Sequence, residues 1–343
     1  MTKASVAAVM VLGLCAAHRQ DTPNAFDSPV IVPSQPAQWI RYRVDARDRA
    51  IGVYLMRDDR PKPLVVLIHG SGCGPIMTIS AAGELRDTSL FQDVVASRSG
   101  DFHFALVEKR GVQPLVFAAG TTRDDRLKAF ERAQQECSPE FMRHVTKPAR
   151  VEDVLATVMA LSRERWVTSI LMAGHSEGTH VATGILRAMK QPPVAAAGLF
   201  ASAGPMPFYA GYAARGPDVA RFQQTLDRVR MLQSADDDFL YQGLPARRWK
   251  TFWLDGTPID DVRDSVVPLF VAQGTRDGAT LAADLFVLEA TRQQPTRRLR
   301  YVVVEGGDHA FETPNGERLG RLFDDFLQWA ADSARQTSVH VLK

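Results

Sequence analysis

The chain has 343 residues, 45% of them hydrophobic and 23% charged, a globular balance that excludes a disordered or fibrous protein. The formal net charge is +2 and no dense Lys/Arg stripe occurs, so neither a nucleic acid nor an anionic membrane surface is an expected partner. The length accommodates one large α/β domain with an insertion, or two small domains.

At the N-terminus, Lys3 precedes an uncharged run from Ala4 to Ala17, rich in Val, Leu and Ala. Spanning a bilayer takes about 20 residues, so this run is too short and reads instead as a signal-peptide core. Cys15-Ala16-Ala17 supplies small residues for cleavage, which predicts a signal peptide over 1–17 and a periplasmic or secreted protein with no membrane span after its removal. Lipidation of Cys15 is disfavoured by Leu14, where a lipoprotein signal has a small side chain. The alternative is a frayed cytosolic N-terminus. Pro23, Pro29, Pro33 and Pro36 mark 18–37 as an extended linker.

From residue 38 strands and helices alternate. Trp39 to Val44 and Ile51 to Met56 read as a hairpin. Leu64 to Ile68 and Phe102 to Val107 are apolar runs of the kind buried on both faces. Thr122 to Cys137 is polar and helical in pattern. Val151, Val154, Leu155, Val158 and Leu161 recur at helical spacing over Arg150 to Leu161. A strand at Val167 to Met172 leads into a helix from Glu177 to Met189. Strands follow at Ala195 to Phe200, Pro268 to Ala272 and Arg300 to Val304, and a helix over Glu317 to Ala331 closes the domain at 333, leaving 334–343 as a tail. Such alternation predicts a mostly parallel sheet flanked by helices.

Residues 205–264 break the rhythm. Nine of the 28 aromatics lie there, among them Phe208, Tyr209, Tyr212, Trp249 and Trp253. This reads as a cap insertion expected to influence substrate choice; the alternative is rings that only pack the insertion.

Gly174-His175-Ser176-Glu177-Gly178 is a GxSxG pentapeptide between an apolar strand and an amphipathic helix. A sharp strand-to-helix turn projects the serine and requires small residues two before and two after it. His69-Gly70-Ser71-Gly72 follows its own strand and can present a backbone N–H to an oxyanion, with the N–H of Glu177 as second donor. Gln273 to Asp277 ends a strand in a Gly-containing turn and an acid. Gly306-Gly307-Asp308-His309 ends the next strand in a histidine. Singly, Ser176 and Asp277 read as helix caps and His309 as a loop histidine. Together, and in the chain order Ser, Asp, His, they compose a triad.

On these residues the chain, from about 38 to 333, resembles the α/β-hydrolase superfamily and within it the serine-esterase and serine-aminopeptidase-like branch. The matching pieces are His69 to Gly72, Gly174 to Gly178, Gln273 to Asp277 and Gly306 to His309; Glu108-Lys109-Arg110-Gly111 resembles the family's Arg-Gly loop. The stretch 113–147 exceeds the usual connection, and Gly278 and Ala279 replace the Val or Pro often found after the acid. The resemblance implies the α/β-hydrolase fold with a helical cap between the sixth and seventh strands. It also implies catalysis by Ser176, His309 and Asp277 through an acyl-enzyme, on a small-molecule ester or peptide-like substrate, with no cofactor or metal. Carboxylic esters are the favoured substrates. A serine aminopeptidase, with Asp236-Asp237-Asp238 holding an ammonium, and a thioesterase stay open, as does a non-catalytic binding module. The sequence does not state an oligomeric state.

Without Cys15, two cysteines remain, and no CxxC or Cys/His cluster suggests zinc. In an oxidising compartment Cys73, beside the oxyanion turn, and Cys137, in the long connection above the same sheet edge, are expected to form a disulfide; two unpaired thiols are the alternative.

Overall fold

The structure is a computed structural model and describes residues 38–46, 49–189, 193–201, 218–314 and 319–339. The expected signal peptide (1–17) and linker (18–37), the cap residues Phe208, Tyr209 and Tyr212, and the last four residues of the tail lie outside the described residues.

The chain begins β1 (Trp39–Ala46), β2 (Arg49–Met56), β3 (Lys62–Ile68), β4 (Met77–Ile79), β5 (Leu85–Asp87), α1 (Gln92–Arg98), β6 (His103–Val107) and β7 (Leu115–Val116). It continues α2 (Arg123–Gln135), α3 (Pro139–His144), α4 (Lys147–Leu161), β8 (Val167–His175), α5 (Glu177–Ala188) and β9 (Val194–Phe200). Then come α6 (Val219–Ser234), β10 (Leu240–Tyr241), β11 (Leu244–Pro245), α7 (Ala246–Trp253), α8 (Pro258–Val262), β12 (Leu269–Gly274), α9 (Thr280–Gln293), β13 (Leu299–Val304) and α10 (Leu319–Val339). Eight strands make the main sheet in the order β1-β2-β6-β3-β8-β9-β12-β13. The six from β6 to β13 are parallel, and β1 and β2 are joined antiparallel at one edge.

Strand β3 shows why the sheet is buried on both faces. Leu64, Val66 and Ile68 enter one core with α4, α5 and α9, whereas Val65 and Leu67 enter the other with α1 and α10. The alternation is the two-residue period of a strand, and a run apolar at both phases suits a parallel sheet covered by helices. Truncating any of these to Ala would cost about 2–5 kcal/mol.

The chain leaves β3 toward β6 on one side and returns to β8 on the other, so the strand order reverses between β3 and β8. A reversal opens a crevice beyond the carboxyl ends of the two strands, where ligands bind in open α/β sheets. The turn His69 to Gly72 follows β3 and Ser176 follows β8.

The insertion between β9 and β12 is helical where described. α6, β10, β11 and α7 gather around Leu232, Ala246 and Trp249, and α8 packs on α5. A second, unexpected sheet of order β5-β4-β7 lies in the stretch after the His69 to Gly72 turn. Its strands have two or three residues, too few to display a period. Short α1, α3 and the helix α9 were likewise not expected from pattern.

Candidate active site

Ser176 stands between β8 and α5 at φ 55° and ψ −124°. A serine pays about 1–3 kcal/mol for such a backbone and holds it only where neighbours dictate it. Its N–H donates to the Phe200 carbonyl (2.9 Å), and its own carbonyl accepts from the Thr179 N–H (3.0 Å) and hydroxyl (2.7 Å). The flanking glycines answer to space: a Cβ on Gly178 would lie 2.1 Å from the Ile68 carbonyl oxygen, and one on Gly174 would lie 2.5 Å from that of Gly178. This close approach seats the start of α5 against the end of β3 and so brings Ser176 beside the His69 to Gly72 turn.

The turns that carry Asp277 and His309 meet in the same way. A Cβ on Gly274 would meet the Gly307 carbonyl oxygen at 2.3 Å, and that oxygen accepts from the Arg276 N–H at 2.8 Å. Gly306 donates its N–H to the Thr275 hydroxyl at 2.8 Å. His309 Nδ1 then lies 2.8 Å from Asp277 Oδ2. With a carboxylate opposite, Nδ1 carries the proton and Nε2 is left as acceptor in the neutral ring. Asp277 also accepts from Gln273 Nε2 (2.8 Å) and the Ala279 N–H (3.0 Å). Burial alone would raise the Asp277 pKa, but these donors hold it below the usual carboxylate value. The His309 pKa is raised, first by the hydrogen bond to Asp277 and then by its charge. Asp308 instead folds its own loop, accepting from the N–H groups of Ala310 and Glu312 at 2.9 Å each.

Ser71, Ser176 and His309 line one cavity of about 490 Å³, with Asp277 behind His309. Glu177 opens α5, where first-turn N–H groups have no intrahelical acceptor. Its side chain is buried and pairs with Arg248 of α7. Thr88 and Phe130 also line a second, neighbouring cavity of about 620 Å³.

Among the described residues, the walls of the Ser176 cavity come from 69–91, from Lys109, from Phe130 and Gln134 of α2, and from His175 and His309, and the described part of the 205–264 cap contributes none. Trp249 instead stacks edge-on against Trp253 (4.5 Å) and donates Nε1–H to the Tyr241 carbonyl (2.9 Å) within the cap. The long connection 113–147 supplies Phe130 and Gln134 to the cavity wall, and the Cys73–Cys137 disulfide, with Cα atoms 5.4 Å apart, ties the segment after α2 to the residue that follows the His69 to Gly72 turn. The Asp236 to Asp238 run does not reach the cavity either: Asp237 pairs with Lys250 at 2.9 Å and Asp238 with Arg247.

Sequence reasoning passed over three residues at the site. Gln273, fully buried, donates to Asp277. His175 contacts the main chain of His309, and Lys109 the carbonyls of Gly70, Ser71 and Gly72. Their signal was a charged or polar side chain at or just beyond the C-terminal end of a largely buried strand. Among the described residues no group of His, Cys, Asp and Glu suits a metal ion, and no helix is long and apolar enough to cross a membrane.

No family model matches this chain, and no curated protein matches it. Solved structures do. Brefeldin A esterase, described as a bacterial homologue of human hormone-sensitive lipase, superposes with a TM-score of 0.55 at 17% identity, over 91% of this chain and 81% of that one. Est1E from Butyrivibrio proteoclasticus, with ferulic acid bound, gives 0.53 at 16% identity over 88% and 99%. The Pyrococcus horikoshii acylaminoacyl peptidase gives 0.53 at 14% identity over 86% of this chain but 41% of the peptidase, so this chain spans about two fifths of that protein's length. At such identities the likeness is one of fold.

Proposed function

We propose that this chain, which has the α/β-hydrolase fold, is a serine hydrolase cleaving carboxylic esters through an acyl-enzyme on Ser176. The observation that carries the reading is the 2.8 Å contact of His309 Nδ1 with Asp277, made by a histidine that shares a cavity with a serine on a strained strand-to-helix turn.

In this reading His309 Nε2 takes the proton of Ser176 Oγ as the oxygen attacks the ester carbonyl. Asp277 keeps the proton of the neutral ring on Nδ1 and stabilises the imidazolium. The N–H groups of Ser71 and Glu177 receive the developing oxyanion, each donor contributing on the order of 3 kcal/mol. Collapse of the tetrahedral adduct expels the alcohol, which takes the proton back from His309. Water then attacks the acyl-serine with His309 again as base, releasing the acid and restoring Ser176. A cavity of about 490 Å³ at Ser176, with a neighbouring one of about 620 Å³, suits a small or medium ester. The disulfide supports the further proposal that the mature protein is exported, since such bonds persist in oxidising compartments.

A fluorophosphonate probe is expected to label the wild type at Ser176 and to leave Ser176→Ala unlabelled and inactive toward p-nitrophenyl acetate. Labelling that survives the substitution removes Ser176 as nucleophile. Faster turnover of an aminoacyl-naphthylamide than of the ester would replace the esterase reading with a peptidase.

A further inference from the structure

We propose that Lys109 is a positioning residue, whose ammonium fixes the peptide planes of the oxyanion turn by binding three successive carbonyl oxygens of that turn. The proposal rests on the reading of Ser176 as nucleophile.

Lys109 leaves β6 between two residues engaged elsewhere. Glu108 accepts from Arg41 (2.8 Å) and from the Tyr54 hydroxyl, and Arg110 places Nε and Nη2 on Asp153 at 2.8 and 2.9 Å. Side chains of an extended segment alternate, so Lys109 points the other way, and it is 4% exposed. Its Nζ lies 2.6 Å from the Gly70 oxygen, 3.2 Å from that of Ser71 and 2.7 Å from that of Gly72. Three acceptors match the three N–H bonds of an ammonium. Among the described residues no carboxylate lies within ion-pair distance of it, and nearby Glu177 is bound to Arg248.

A buried lysine with only carbonyl partners is a costly way to fill space. An apolar side chain of similar length would carry no desolvation penalty. What the ammonium supplies is direction. In a planar trans peptide the carbonyl and the next residue's N–H point in opposite senses. Turning the Gly70 carbonyl onto Lys109 therefore aims the Ser71 N–H away from it, and the Ser71 carbonyl does the same for the Gly72 N–H. Arg150 Nη2 reaches the His69 oxygen at 3.5 Å, extending the pattern to four consecutive carbonyls. Ser176 stands against this turn, since a Cβ on Gly70 would lie 3.0 Å from the Ser176 Cβ. The turn contains two glycines, with Gly72 at φ 84°, so little else opposes a peptide flip. A flip of the Gly70–Ser71 peptide would replace the donor by a carbonyl oxygen facing the oxyanion. Burial of Lys109 beside Arg150 lowers its pKa to about 7, so the surroundings tax the charge that the three carbonyls use.

The test compares full-length wild type, Lys109→Met and Lys109→Gln, with rates normalised to fluorophosphonate-titrated sites. For Lys109→Met, kcat/KM on p-nitrophenyl acetate is expected to fall by about 10²–10³, the loss associated with one oxyanion donor. The inhibition constant of a trifluoromethyl ketone, which forms an oxyanion on the serine, should rise by the same factor. Affinity for the isosteric ether, which forms none, should not move. Lys109→Gln retains N–H donors and should recover at least about tenfold of the loss. The proposal is overturned if folded Lys109→Met keeps the wild-type ketone affinity, or if ether and ketone weaken together. It is overturned equally if neither variant folds, which would make Lys109 structural only. A wild type that neither hydrolyses the ester nor labels at Ser176 would instead refute the functional reading itself.

Discussion

The side chain of His175 reaches across the site to the main chain of His309: Nε2 lies 2.9 Å from the His309 carbonyl oxygen, with the two rings 5.1 Å apart and edge-on. Burial lowers the His175 pKa to about 4, so at neutral pH the ring is uncharged and donates from Nε2. The residue before the candidate nucleophile thus grips the loop that carries the candidate base. His175→Phe keeps the ring but loses the donor. A neutral hydrogen bond contributes about 1 kcal/mol to stability, so the melting temperature should fall slightly and kcat/KM on p-nitrophenyl acetate should fall by about fivefold. An activity equal to wild type would show that the bond does not position His309.

Asp277 and Asp308 both flank the base, but only Asp277 hydrogen-bonds its ring. Asp277→Asn should cost about 10⁴ in kcat through loss of tautomer control. Asp308→Asn should act mainly on stability, because its carboxylate caps the N–H groups of its own loop. A larger activity loss in the Asp308 variant would reassign the acid.

The pH profile follows from the raised pKa of His309. In the proposed mechanism His309 works only when neutral, and its folded pKa lies above the ordinary 6.5, so kcat/KM should fall as pH drops through a value above 6.5. In Asp277→Asn the stabilising charge is gone, and the remaining activity should show that inflection at lower pH. Rates measured from about pH 5 to about pH 9 check both; an inflection that does not move on substitution contradicts the coupling.

Phe130 lines both cavities. Phe130→Ala should raise the relative rate on long-chain over short-chain p-nitrophenyl esters. Trp249→Ala, in the cap's own core, should lower the melting temperature and leave the chain-length profile unchanged. The reverse outcome would return substrate choice to the cap.

The Cys73–Cys137 bridge closes a loop with a sequence separation of 64 and packs with Val112, Phe141 and Val145. Loop-closure entropy for that length gives about 4 kcal/mol of stability, less any strain. Denaturant unfolding with and without reductant should differ by this order, and the denatured, unreduced protein should show neither Cys73 nor Cys137 as a free thiol. Because Cys73 adjoins Gly72, reduction should also lower kcat/KM.

Much of the molecule was legible along the chain because its signals are local. A strand buried on both faces must be apolar at both phases, as Leu64 to Ile68 are, and a strand-to-helix elbow must have small residues around Ser176. The parallel sheet, the strained serine turn and the chain order of Ser176, Asp277 and His309 follow from such short-range rules. The count of cysteines stated that Cys73 and Cys137 had partners available, but not that their Cα atoms lie 5.4 Å apart. The cavity walls were not legible. α2 has no buried residue of its own, and its pattern says nothing of what Phe130 and Gln134 face until the disulfide and the small sheet bring the helix over the turn. Lys109 was hidden for the same reason: its three acceptors lie 37 to 39 residues away, on a turn that meets it only because β3 and β6 are neighbours. Local patterns encode which backbone each segment adopts. Which side chains converge depends on strand order, and that is set by the burial of the whole sheet and not by any one segment of it.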